Sequence, residues 1–114
     1  MRAEDRLPEV TRLYDGRPSR PENAVGIGDF WYEPEIWDLP LSPASRVLYA
    51  GLCSYLGHGE INRRDLRNTL KDCSDGEIRA ALEELARHNL LVPRPDPGDG
   101  PAAYAVLSVK RFDA

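Results

Sequence analysis

The chain has 114 residues, 41% hydrophobic and 30% charged, with a net charge of −4, a size and make-up that suit one globular domain and leave no room for two independent cores. No apolar run approaches the ~20 residues that a membrane-spanning helix needs. Charged residues rather than an apolar segment follow Met1, so no secretory signal is expected and the cytoplasm is the expected compartment. The negative excess lies in residues 29–41, which hold Asp29, Glu33, Glu35 and Asp38 and no base, whereas residues 43–91 balance seven basic against seven acidic side chains. A neutral domain permits nucleic-acid binding without favouring it, because neutralising phosphates usually leaves a basic footprint.

Residues 1–28 mix Pro8, Pro18, Pro21, Gly16, Gly26 and Gly28 with scattered charges and read as a flexible N-terminal arm. Within it Leu7, Val10, Leu13 and Tyr14 follow helical spacing, which predicts a short amphipathic helix. Residues 29–114 read as the folded domain. Phe30–Glu33 predicts a short strand ended by Pro34, and Glu35–Leu39 one helical turn. The aromatic group around Trp31 and Trp37 is a cover for the core or an oligomer contact, and a homodimer is expected from it.

Ser42-Pro43 opens the first clear helix, with Ser42 as N-cap and Pro43 at the first helical position. Val47, Leu48, Leu52, Tyr55 and Leu56 form its apolar stripe, and Gly57 and Gly59 stop it. Asn62 caps a second helix, with Asp65 placed to reach back and Leu66 and Leu70 facing inward. Ser74 and Glu77 form a capping box for a third helix, whose inward face is Ile78, Ala81, Leu82 and Leu85 and whose end lies near Asn89. Leu90 to Pro93 and Tyr104 to Val109 then predict two strands joined by the Pro- and Gly-rich loop 94–101.

The order is three helices followed by a β-hairpin, a mainly α fold with a small hairpin (α+β). The stretch Leu41-Ser42-Pro43-Ala44-Ser45-Arg46-Val47-Leu48-Tyr49 resembles the opening of bacterial winged helix-turn-helix domains. Ser74-Asp75-Gly76-Glu77-Ile78 through Ala81-Leu82-Glu83-Glu84-Leu85, with Asn89-Leu90-Leu91, is similar to their recognition helix and the strand after it. In this the chain resembles the domains of replication-initiation and primosome-loading proteins and of some phage and plasmid regulators. The resemblance covers about seventy residues. It implies a three-helix core plus wing, and double-stranded DNA binding as a transcription regulator or replication accessory beside a larger replication or regulatory protein.

The alternative from the same residues is a winged-helix module for protein–protein contact or dimerisation, since the fold serves both uses. Arg64, Arg67 and Lys71, spaced i, i+3, i+7, form an outward stripe on the second helix, with Arg63 beside it. In the resemblance these cations meet phosphates. On the third helix Gly76, Arg79, Ala80, Glu83 and Arg87 face away from the core, and Arg79 is the one donor suited to guanine near its start. Gly76 and Ala80 are small enough for close approach, while Arg79–Glu83 and Glu83–Arg87 can pair at i, i+4. Arg94 is the base at the wing. The candidate DNA contacts are therefore Arg63, Arg64, Arg67, Lys71, Gly76, Arg79, Ala80 and Arg94. His58 and His88 lack the partners of a metal or triad site, no phosphate loop or nucleophile motif is present, and neither an enzyme nor a cofactor is expected.

Overall fold

The computed structural model describes residues 7–17, 20, 22–27, 30–94 and 102–109. Val10–Asp15 is a strand, β1, not the helical turn that the spacing of Leu7, Val10, Leu13 and Tyr14 predicts. Its burial has period two: Thr11 and Leu13 are buried while Arg12 and Tyr14 are exposed. A helix of two turns is marginal alone, whereas a strand here pairs on both sides and lets Leu7 and Leu13 enter the core. Residues 10–15, read from the sequence as part of a mobile arm, thus belong to the sheet.

A separate antiparallel ribbon follows, β2 (Val25–Ile27) against β3 (Phe30–Tyr32). Pro34 then starts a 3₁₀ turn, Pro34–Asp38. α1 spans Pro43–Tyr55, with the Ser42 hydroxyl accepting from the Ser45 amide as the Ser-Pro pair predicts. A 3₁₀ turn, Leu56–His58, and left-handed Gly59 (φ 75°) lead into β4 (Glu60–Asn62). α2 (Arg63–Thr69) and α3 (Asp75–Arg87) come next, then β5 (Leu91–Pro93) and β6 (Ala102–Val106). Asn89, with φ 60°, takes the left-handed position that ends α3. The loop between β5 and β6, expected as a wing, falls outside the described residues from 95 to 101.

The result is an α+β domain with three helices and a four-stranded sheet in the order β4-β1-β6-β5. β1 runs antiparallel to β4 and parallel to β6, with Leu13 opposite Tyr104. Leu13, Ile61, Leu91 and Val106 give the sheet its core face, against Leu48, Leu52, Leu66, Leu70, Ile78, Leu82 and Leu85 from the helices. The expected α1 stripe is rotated by part of a turn: Val47 is 40% exposed and Tyr49 is fully buried. The Tyr49 hydroxyl finds its partner in the Leu107 carbonyl at 2.6 Å, which meets the requirement that a buried phenol be hydrogen-bonded. Buried Glu33 accepts from the Ser108 hydroxyl and the Val109 amide at 2.6 and 2.7 Å, tying the end of β3 to the chain after β6. Buried Cys53 packs in the core, and burial pushes its thiol up to about 12. No helix among the described residues is long and apolar enough to cross a membrane.

Two substitutions test the placement of β1. Leu13→Ala removes a buried side chain and should cost about 2–5 kcal/mol in urea denaturation; a mobile arm would give no change. Thr11 buries a hydroxyl with no partner among the described residues. Thr11→Val, near-isosteric and apolar, should raise stability by about 1 kcal/mol in the same measurement.

Candidate interface on helices α2 and α3

The local grammar of both helices is as their sequence dictates. Asn62 Oδ1 accepts the Asp65 amide at 2.8 Å and starts α2. Ser74 and Glu77 close a full capping box at α3, with the Ser74 amide donating to Glu77 Oε1 and the Glu77 amide to Ser74 Oγ. Donation from the Ser74 amide, then from its hydroxyl, holds the Glu77 carboxyl below its usual range.

The eight residues expected to meet DNA have three different fates. Arg63 is turned to the strand rather than outward: its Nε donates to the Leu7 carbonyl at 2.9 Å and its amide to Glu9. The insertion of β1 beside β4 puts those carbonyls within reach, and nothing near Arg63 in sequence signals it. Arg67 makes a bidentate pair with Asp75 at 2.9 and 2.6 Å, clamping α2 to the first residue of α3. Arg94 lies over the Tyr14 ring, 4.8 Å from its centroid, on the far side of the sheet from the helices. Arg79 pairs with Glu83 at 3.6 Å, the first of the two expected i, i+4 pairs. Arg87 instead lines a groove with Glu84.

Arg64 and Lys71 are exposed, and among the described residues neither makes a hydrogen bond or ion pair. Gly76 and Ala80 are exposed on the outward line of α3, as their position predicts. Of the two tryptophans expected to support a dimer, Trp31 is capped by the Arg17 guanidinium at 3.7 Å from the ring centroid. Trp37 remains 42% exposed, edge-on to Tyr32.

The residue that sequence reasoning missed is Glu84. Its Oε1 accepts from the Ser45 hydroxyl, the Ser42 amide and the Ser42 hydroxyl, the last two at 2.9 Å, so the N-terminus of α1 is pinned to the middle of α3. Those donors hold its carboxyl down at about 2. The partners lie some forty residues apart in the chain, and Ser42 was legible only as a cap. Between the two helices runs an open groove of about 340 Å³, lined by Ser42, Ala44, Glu77, Ala80, Ala81, Glu84 and Arg87. The geometry offers fixed carboxylates over small side chains. No protein-family model, curated protein or solved structure matches the chain.

The Glu84 cluster makes stability depend on pH with a definite sign. The folded carboxyl titrates near 2 and the unfolded one near the model-peptide value of about 4.3. Its contribution is therefore complete above that unfolded value and lost as pH falls from there towards 2. Urea midpoints of the parent should fall more steeply across this window than those of Glu84→Gln. Ser74→Ala should cost about 1 kcal/mol at neutral pH by removing the α3 cap.

Proposed function

We propose that this chain is a winged-helix domain whose α3 face contacts protein rather than reading DNA. The order α1, α2, α3 and then the β5–β6 hairpin supports the winged-helix reading, together with the resemblance of residues 41–49 and 74–91 to that family. The observation that carries the functional half is the groove side of α3. It presents Glu77 and Glu84, both held by hydrogen bonds that favour the ionised form, while Glu83 stands outward between Arg79 and Arg87. Fixed anions on the helix that would enter the major groove oppose phosphate. Three of the cations that would offset them, Arg63, Arg67 and Arg94, are engaged within the fold. A partner protein meets that face without this penalty, either a second copy or a larger replication or regulatory protein.

Double-stranded DNA is the second reading, and one observation favours it: Arg64 on the helix that would cross the backbone, and Lys71 just past that helix's end, stand exposed. Surface ion pairs are worth only about 0–1 kcal/mol, so Arg67 could exchange Asp75 for a phosphate at little loss. Fluorescence anisotropy with a random-sequence duplex across a salt series separates the two. The protein-contact reading expects no binding even at ~50 mM salt, where screening is weakest. Binding that weakens with log salt by about 0.9 per contact, and that Arg64→Ala with Lys71→Ala removes, would establish the DNA reading instead.

A further inference from the structure

From the charges and the groove on this face we infer that the partner of the α3 groove is the α2 edge of a second copy of the chain, in a two-fold dimer. The inference rests on the protein-contact reading above and names its partner. Glu77 and Glu84 are seven residues apart on one helix, hence two turns or about 10.5 Å. Each is held in place through Oε1, and among the described residues no hydrogen bond reaches either Oε2. Ala80 and Ala81 lie between them at the groove floor, and Arg87 is the one cation on its rim. The groove is thus a small-residue channel with two fixed anions at a set spacing.

The complementary pair is on the same molecule. Arg64, in the first turn of α2, and Lys71, just past its end, are exposed and without a partner among the described residues. They cannot reach their own groove, because α2 and the groove flank α3 on opposite sides. Turning 100° per residue about α3 places Asp75 and Arg79 on the α2 side, Gly76, Ala80 and Glu83 outward, and Glu77 and Glu84 on the groove side. Asp75 marks the α2 side through its bond to Arg67, and Glu84 marks the α1 side through Ser42 and Ser45. A two-fold axis running along α3, outside the Gly76–Ala80 line, sets each protomer's α2 edge against its partner's groove. The contact is then made twice and closes, as an isologous interface must. Gly76 and Ala80, exposed at the seam, allow close approach there, with Glu83 and Arg87 exposed beside them.

Sedimentation equilibrium of the full chain at ~0.1 M and ~1 M salt, between which the Debye length falls from ~10 to ~3 Å, reads the prediction directly. The parent should be a dimer at tens of micromolar, with its association weakened about tenfold or more at the higher salt. Arg64→Glu with Lys71→Glu reverses the cationic edge, and Ala80→Arg fills the groove floor from an exposed helical position. Both variants should be monomeric with the parent's circular dichroism and melting temperature, and either one suffices if the other fails to fold. A monomeric parent, or a dimer that survives both variants, would overturn the inference. Titration of the same samples with duplex DNA separates the two levels of failure. A monomeric parent that binds no duplex loses only the second copy as partner. A monomeric parent whose duplex binding vanishes in the Arg64/Lys71 variant loses the protein-contact reading as well.

Discussion

The structure depends on the insertion of β1 between β4 and β6. Without it the core-side sheet would consist of one three-residue strand, β4, and the β5–β6 pair, with Leu7 and Leu13 absent from the core. Its backbone groups are satisfied from both sides, antiparallel to β4 and parallel to β6, which removes the main objection to burying extended chain. Contact between β1 and β6 also brings distant parts of the chain together. That pairing joins residues some ninety positions apart.

Several properties of the surface descend from the same insertion. Arg63 is drawn to the carbonyl of Leu7 because β1 enters beside the start of α2. Arg94 finds the Tyr14 ring because β5 and β1 flank β6. Just past β1, Arg17 turns back, donating to the Trp31 carbonyl at 2.7 Å and covering the indole ring, so the ribbon of β2 and β3 is locked to the sheet by a cation 2% exposed in its side chain. Each of these arginines is free-standing in sequence and structural in the fold. The basic footprint that a DNA-binding surface needs is reduced as a consequence.

A second constraint works on the helical layer. Glu84 gathers three donors from the first turn of α1, and Arg67 holds Asp75 from the other side. Two short polar clamps therefore tie α3 to α1 and to α2. They also hold the Glu84 and Asp75 carboxylates rather than leaving them on mobile side chains. Fixed charges lose less side-chain entropy on docking, which favours recognition by a specific protein surface.

Local chemistry determined everything that a few neighbouring residues can decide. Ser42-Pro43, Asn62 with Asp65, and Ser74 with Glu77 start their helices where their hydrogen-bonding requires. The 3.6-residue period of Ile78, Ala81, Leu82 and Leu85 placed them inward, as observed. Leu7, Val10, Leu13 and Tyr14 fit a helix as well as a strand over so short a span, and their strand came from partners near residues 60 and 104. The same holds for Glu84, for Arg63 and for Tyr49, whose neighbours in sequence say nothing of Ser45, Leu7 or Leu107. Caps and amphipathic faces are properties of one turn of chain. Which arginine is structural and which stays exposed depends on who arrives from elsewhere, and that only the tertiary structure decided.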